Sequence, residues 1–189
     1  AYIPQREDVD WRFPVTVSDV VMMGRFGQLG WFHRPSKMDK ELVRKSMQQM
    51  GIADLAERSI GQLSGGQQQR VFLARAIAQE PHILLMDEPF TGVDVTTQET
   101  TLNLLDHLRS QHVTTIVSTH DLNLAASRFD LVLLINHKLI AYGTPREVFV
   151  RGNLAQAFGN SLLVMESGMM LVDECCPPDE EHHQHAEAK

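Results

Sequence analysis

Short apolar runs alternate with an amphipathic stretch in the middle of the chain. Three runs have the length and composition of strands buried on both faces of a parallel sheet: His82 to Met86, Val113 to Ser118 and Leu131 to Ile135. Between the first two runs, Gln98 to Arg109 places Leu102, Leu105 and Leu108 on one stripe of a helix. This alternation predicts an α/β fold with a parallel sheet at its core.

Capping and breaking residues set the limits of the other predicted elements. Ser36 and Asp39 favour a helix that runs to about Met50, and Pro81 ends a helix that begins at Gly66. Residues 1 to 35 are expected to hold the end of a strand and then an irregular segment. Further short elements are predicted in chain order: a helix over Ala53 to Arg58, a strand over Lys138 to Tyr142, helices over Arg146 to Val150 and Leu154 to Phe158, and a hairpin of Leu162 to Glu166 with Met169 to Glu174.

Composition and charge argue against membrane-spanning, secreted and nucleic-acid-binding proteins. The chain has 189 residues, 43% of them hydrophobic, which is enough for one domain with its own core. No apolar run approaches the roughly 18 residues of a membrane helix, and no signal-peptide pattern is present, so we expect a soluble cytosolic protein. The net charge is −7, but residues 173 to 189 carry six acids and one lysine. The rest of the chain is therefore nearly neutral, which argues against a nucleic-acid partner.

The end of the chain differs from the rest. Residues 1 to 174 are expected to form the folded domain, and residues 175 to 189 a disordered acidic tail with too little apolar content to fold. The tail holds ligands that suit Zn²⁺ or another transition metal: Cys175, Cys176, His182, His183 and His185. Because the thiols are adjacent and a flexible tail loses entropy on closing around an ion, a solvated tail is favoured over a metal site.

Aromatic residues and prolines cluster near the start of the chain. The aromatic residues are Trp11, Phe13, Trp31 and Phe32. Such a cluster is typical either of an exposed docking surface or of a small satellite core. The residues alone leave both alternatives open.

A Ser-Gly-Gly step opens one of the predicted helices. Ser64 is a natural N-cap, and Gly65 and Gly66 allow unpaired N–H groups to approach an anion at the positive end of the helix. With Leu63 and Gln67, this step forms a candidate phosphate site made from backbone.

Two acids and a histidine follow predicted strands. Asp87 and Glu88 come directly after the run that ends at Met86, and His120 follows the run that ends at Ser118. Ligands bind at the carboxyl ends of strands in open α/β sheets. A carboxylate there can hold Mg²⁺, and a second one can accept a proton from water. Adjacent acids are also common at ordinary strand-to-loop turns.

These motifs, in this order, resemble the nucleotide-binding subunit of ABC transporters. The resemblance covers most of the chain up to Glu174. It identifies the Q-loop at Gln5, the signature motif at Leu63 to Gln67, the end of Walker B at Met86 to Glu88, the D-loop at Val93-Asp94 and the switch histidine at His120. It implies an ABC-type nucleotide-binding domain with a parallel sheet core and a helical signature subdomain. It also implies ATP and Mg²⁺ as cofactors.

The resemblance assigns a role to each of these residues. It makes Glu88 and His120 catalytic, with His120 contacting the γ-phosphate. Asp87 holds Mg²⁺. Gln5 reaches Mg²⁺ or the attacking water through its side-chain oxygen, and it reports the nucleotide state to the membrane subunit. The nucleotide-binding residues are Gln5, Ser64, Gly65, Gly66, Gln67 and Asp94. In the family, the signature residues close over ATP held by the P-loop of a partner subunit, and Asp94 lies at that dimer interface.

One family motif is missing from the sequence. No Gly-x-x-x-x-Gly-Lys-Ser/Thr occurs in the 189 residues, so we expect an N-terminally truncated ABC domain that hydrolyses ATP poorly alone. The alternative is a non-catalytic remnant or a regulatory partner of an intact ATPase. The in-frame sequence of the DNA upstream distinguishes the two.

Finer features resemble one group within the family. Residues 2 to 14, Asp87 to Asp94 and Ser118 to Asn123 look like the ATPases of bacterial manganese, zinc and iron importers. The resemblance implies a second ATP-binding subunit and a membrane permease as partners, with a periplasmic or surface metal-binding protein as an indirect one. It implies a peripheral location at the cytoplasmic face of the membrane. It also favours docking of the membrane subunit at the N-terminal aromatic residues.

Overall fold

The computed structural model describes residues 1–5, 13–29, 34–159, 162–164 and 170–172. The chain divides into two units, Ala1–His120 and Asp121–Lys189. The elements in chain order are β1 (Tyr2–Ile3), α1 (Val17–Met23), α2 (Lys37–Gln49), α3 (Gly65–Ala78), β2 (Ile83–Asp87), α4 (Val95–Ser110), β3 (Thr114–Ser118), α5 (Leu122–Arg128), β4 (Val132–Asn136), β5 (Lys138–Gly143), α6 (Pro145–Val148), α7 (Arg151–Phe158), β6 (Leu162–Val164) and β7 (Met170–Val172).

The first unit contains a three-stranded sheet in the order β1-β2-β3. Both pairings are parallel, with Ile3 opposite Met86 and Asp87 opposite Ser118. The predicted parallel α/β core is therefore confirmed. Because the strands run in the same direction, their carboxyl ends lie at one edge of the sheet.

Among the described residues, only one face of this sheet is covered, and there the prediction of strands buried on both faces was wrong. Leu84 and Met86 are buried, whereas Ile83, Leu85 and Ile116 are 52%, 41% and 50% exposed. Alternate side chains of a strand point to opposite faces, and helices α3 and α4 contact this sheet. An apolar run indicates that a strand can be buried. Whether both faces are buried depends on elements from other parts of the chain, which the run does not predict.

Helices α1, α2 and α3 pack together in the first unit. Helix α1 lies where an irregular segment was expected, and that prediction was wrong. Thr16 and Asp19 form a capping box at its start, and Val17 and Val21 are fully buried. The predicted helix after Ser36 is confirmed, again with a capping box. The helix expected over Ala53 to Arg58 is a single 3₁₀ turn, Ala53–Leu55.

A buried arginine joins these helices. Arg25, 5% exposed, donates to Asp39 Oδ1 at 3.0 Å, to the Ala78 carbonyl at 2.7 Å and to Glu80 Oε2 at 3.0 Å. It also donates to the side chain of Gln28. Since an unpaired buried charge is strongly unfavourable, these bonds fix the loop after α1 against α2 and the end of α3.

The second unit is built on a different sheet. Strand β4 contains most of the predicted run from Leu131 to Ile135, but it pairs antiparallel with β5 and not in a parallel sheet as expected. The apolar run predicted a strand correctly, yet it carries no information on the partner. Helix α5 was not predicted. The core of this unit is Leu122, Leu134, Val148 and Leu154.

The remaining predictions agree with the structure in outline. Strands β6 and β7 pair antiparallel, as the hairpin requires, and α7 begins three residues before its predicted start. Within the residues that the structure describes, no helix is long and apolar enough to cross a membrane. The predicted tail and the aromatic residues Trp11, Trp31 and Phe32 lie outside the described residues. Phe13 is described and is 59% exposed.

Candidate active site

Most of the predicted catalytic and metal-binding residues follow strands that end at one edge of the parallel sheet. Asp87 is the last residue of β2, and Glu88 follows it. His120 lies two residues beyond β3, and Gln5 lies two residues beyond β1. The parallel register brings these ends to the same edge, as the sequence predicted. Gln5 is placed there by register alone.

A serine hydroxyl bridges the two adjacent acids. Ser118 Oγ donates to Asp87 Oδ1 at 2.5 Å and accepts the backbone N–H of Glu88 at 3.0 Å. The bridge joins the end of β3 to the end of β2. The sequence pattern predicts no role for Ser118, because its contacts depend on the pairing of β2 with β3.

Two side chains contact the carboxylate of Glu88, both at the same oxygen atom. Thr91 Oγ1 donates to Glu88 Oε2 at 3.0 Å, and His120 Nδ1 lies 3.5 Å from the same oxygen. The Thr91 N–H also donates to the Glu88 carbonyl at 3.2 Å, which closes a turn with Pro89 in its second position. Glu88 has a φ of 42°, in the left-handed region that favours glycine. Strained backbone of this kind concentrates at functional sites.

The Ser-Gly-Gly step opens a helix as predicted. Ser64 is the N-cap of α3, and its Oγ accepts the N–H of Gln67 at 3.3 Å. Gln67 Oε1 in turn accepts the Ser64 N–H at 2.9 Å, which completes a capping box. The side chain of Gln67 is therefore engaged in the cap of its own helix.

The second glycine of the step packs against the start of α4. Asp94 is the N-cap of that helix: its Oδ1 accepts the Thr97 N–H at 2.9 Å and its Oδ2 accepts the Thr97 hydroxyl at 3.0 Å. These two bonds, backbone first, hold the pKa of the Asp94 carboxyl below its usual value. A Cβ at Gly66 would lie 2.5 Å from Asp94 Oδ2, so a larger residue there would have to displace the Asp94 carboxylate. The predicted start of α4 at Gln98 was three residues late because this cap was not recognised.

Helix α3 also contacts the loop that carries the acids. Gln69 Nε2 donates to the Pro89 carbonyl at 3.5 Å, and both residues are buried. The structure therefore brings the predicted residues together in two groups, Asp87, Glu88 and His120 in one, and Gly66 and Asp94 in the other. Gln69 links the helix of the second group to the loop of the first.

The described residues contain no cluster of three or more His, Cys, Asp or Glu that could hold a metal ion. Asp87 and the side-chain oxygen of Gln5 are hard oxygen donors at the sheet edge, and such donors suit Mg²⁺, which keeps several waters and uses few protein ligands. The proposed Cys and His ligands of the tail lie outside the described residues.

Residues 1–91 match the family model described as ABC transporter. The chain is 44% identical over 169 residues to the manganese transport system ATP-binding protein MntB of Bacillus subtilis, covering 89% of this chain and 68% of that protein. The chain belongs to the ABC transporter family. It is also 49% identical over 162 residues to the manganese transport system ATP-binding protein MntB of Halalkalibacterium halodurans, covering 86% of this chain and 65% of that protein.

The fold of this ABC chain is shared with a solved structure. A metal-chelate type ABC transporter in an inward-facing conformation matches it with a TM-score of 0.75 and 31% identity, over 83% of this chain and 62% of that one. Among the curated relatives it matches, the ABC chain spans 65% of the length of the Halalkalibacterium protein and 60% of another relative.

Proposed function

We propose that the chain is the ATP-binding and ATP-hydrolysing part of an ABC importer for a divalent metal, manganese, zinc or iron. The observation that carries the proposal is the meeting of Asp87, Glu88 and His120 at one edge of the parallel sheet. The manganese relatives and the metal-chelate transporter support the class of cargo.

Asp87 and Gln5 would hold Mg²⁺ together with the phosphates of ATP. Mg²⁺, when bound, neutralises charge on the β- and γ-phosphates during transfer. Ser118 donates to Oδ1 of Asp87, which leaves Oδ2 to face the ion or its water. A single carboxylate with a neighbouring amide fits an ion that is bound mainly through water and phosphate oxygens.

Glu88 would act as the general base. A carboxylate that accepts a proton from the attacking water must lie within hydrogen-bond reach of it. Thr91 and His120 both contact Oε2, so the water would be received at Oε1. His120 is 71% exposed in its side chain, and it would contact the γ-phosphate.

The start of α3 would bind the phosphates of ATP held by a partner subunit. Helix N-termini bind anions through unpaired N–H groups, and Gly65 and Gly66 would supply those groups here, next to the Ser64 hydroxyl. Asp94 lies in contact with Gly66 and would place the D-loop at the same dimer interface. The proposal therefore includes a second ATP-binding subunit.

The same proposal includes a membrane permease that the chain serves from the cytoplasmic face. A metal-binding protein outside the membrane delivers the cargo to the permease, and this chain touches neither that protein nor the metal. No nucleic acid takes part.

Uptake of metal tests the proposed function. The chain is extended at Ala1 with a family-type N-terminal segment that carries a P-loop; we call this the P-loop-extended chain. It is expressed in a bacterial strain that lacks the ATP-binding subunit of its manganese importer, and uptake of radioactive Mn²⁺, Zn²⁺ and Fe²⁺ is measured. We expect uptake of at least one of these ions, lost in Glu88→Gln and retained in Glu99→Gln, an exposed acid of α4. Uptake of none of them by a folded, assembled subunit would overturn the metal assignment.

A further inference from the structure

Two exposed hydroxyl groups contact the adjacent acids at the sheet edge. We propose that Ser118 and Thr91 are positioning residues: Ser118 fixes Asp87 and the backbone of Glu88, and Thr91 fixes the carboxylate of Glu88. The inference rests on the proposed function for its catalytic meaning. The positioning itself is tested without any activity.

Ser118 holds two groups at once. Its Oγ donates to Asp87 Oδ1 at 2.5 Å and accepts the Glu88 N–H at 3.0 Å. The donated bond selects one oxygen of Asp87 and leaves the other for a ligand. The accepted bond stabilises Glu88 in its left-handed conformation, which a residue other than glycine seldom adopts without support.

Thr91 acts on the side chain that Ser118 does not reach. The turn from Glu88 to Thr91 returns the chain so that the Thr91 hydroxyl donates to Glu88 Oε2 at 3.0 Å. His120 approaches the same Oε2 at 3.5 Å. Both contacts fall on Oε2, so they restrain the carboxylate and leave Oε1 available to an attacking water.

Carboxyl ¹³C NMR of the 189-residue chain tests the positioning directly. The chain is labelled at the side-chain carboxyl carbons of Asp and Glu, and the two signals are assigned with Asp87→Asn and Glu88→Gln. We expect Thr91→Val to shift the Glu88 carboxyl signal and Thr91→Ser to restore it. We expect Ser118→Ala to shift the Asp87 carboxyl signal and the Glu88 backbone amide signal, and Ser118→Thr to restore both.

Matched controls separate positioning from general perturbation. Thr100→Val removes a hydroxyl that bonds to the Thr96 carbonyl in its own helix, and Ser127→Ala removes one that bonds to carbonyls within α5. Both controls are expected to leave the Asp87 and Glu88 signals in place. Thr91 and Ser118 are exposed, so their variants should fold like the parent chain. Signals of Asp87 and Glu88 that stay unmoved in Thr91→Val and Ser118→Ala would overturn the inference.

Kinetics of the P-loop-extended chain give the second readout. We expect Thr91→Val to lower kcat about tenfold with KM for ATP unchanged, because a misoriented base affects the chemical step alone. We expect Ser118→Ala to raise the Mg²⁺ concentration needed for half-maximal activity. If Glu88→Gln has no effect on turnover, the proposed function fails while the NMR result still decides the positioning. If Glu88→Gln abolishes turnover and Thr91→Val does not change kcat, the positioning role is wrong.

Discussion

Gly66 lies so close to Asp94 that a Cβ atom at this position would be 2.5 Å from Asp94 Oδ2. It would be closer still to the hydroxyl oxygen of Thr97. The sequence suggested that both glycines of the step serve the approach of an anion. For Gly66, the close packing against the cap of α4 explains the need for a small residue, whether or not an anion binds there. The same contact joins the start of α3 to Asp94 as one packed unit.

Replacing Gly66 by alanine is expected to destabilise the first unit. Glycine to alanine in a helix normally stabilises by about 1 kcal/mol. Here the added methyl group must displace the Asp94 carboxylate and Thr97, and overpacking of a buried site costs about 1 to 3 kcal/mol. We expect the clash to exceed the helix gain, so that the free energy of unfolding falls in a urea titration.

Gly152→Ala is the matched control for that substitution. Gly152 lies in α7, and a Cβ there would meet nothing within 4 Å. The same change should therefore raise the free energy of unfolding of its unit by up to about 1 kcal/mol. If Gly66→Ala and Gly152→Ala change the free energy of unfolding equally, the contact with Asp94 does not contribute to stability.

Removing the side chain of Arg25 is expected to be among the more destabilising single changes. Arg25→Ala leaves Asp39 and the Ala78 carbonyl without their partner in a buried position. Breaking a buried pair from one side costs about 3 to 5 kcal/mol. The exposed pair of Arg44 with Glu41 is the control, since Arg44→Ala at the surface should change the free energy of unfolding far less. Denaturant unfolding of both variants checks the difference, and equal losses would contradict it.

The stabilisation by Asp39 is expected to disappear in acid. The Ser36 hydroxyl first, then the Ser36 N–H and Arg25, lower the pKa of the Asp39 carboxyl. Because the folded pKa lies below the unfolded value of about 3.9, the stabilisation is present above that pH and is lost as the pH falls through the folded pKa. The difference in free energy of unfolding between the parent and Asp39→Asn should be constant from pH 7 to about pH 4 and shrink below it. If the difference in free energy of unfolding between the parent and Asp39→Asn grows as the pH falls, the prediction is contradicted.

The elements that the sequence predicted well carry local signals. Helix α2 begins at a capping box visible as Ser36-x-x-Asp39, and α3 begins directly after its N-cap Ser64. Helix α1 carries the same signal in Thr16-x-x-Asp19, and it was missed because nearby prolines suggested an irregular segment. Capping residues are a better guide to a helix start than the composition around them.

The sequence pattern did not predict which strands pair with each other, and it did not distinguish parallel from antiparallel pairing. Leu131 to Ile135 has the same apolar character as the run before Asp87, yet one lies in an antiparallel pair and the other in a parallel sheet. Asp87, Glu88 and His120 lie at or just after the ends of strands β2 and β3, as the apolar runs predicted, and their roles stay predictions. Ser118 and Thr91 could not be assigned, because their partners depend on register and on the turn after Glu88.

The 189-residue chain alone is expected to release phosphate from ATP no faster than its own Glu88→Gln variant. Its sequence holds no Gly-x-x-x-x-Gly-Lys-Ser/Thr, and the backbone donors and lysine of that motif hold the β- and γ-phosphates. Phosphate release at saturating Mg²⁺ and ATP checks this. Robust Mg²⁺-dependent turnover that Glu88→Gln abolishes would contradict it.

Phosphate release by the P-loop-extended chain tests the central claim, that the edge carrying Asp87, Glu88 and His120 hydrolyses ATP. Steady-state rates are compared for the parent, Glu88→Gln and Glu99→Gln, with ATP binding measured in parallel. We expect Glu88→Gln to bind ATP and to lose turnover by about 100-fold or more, since general base catalysis supplies at least that factor. Glu99→Gln should match the parent. Turnover at the parent rate in a folded, ATP-binding Glu88→Gln variant would contradict the account.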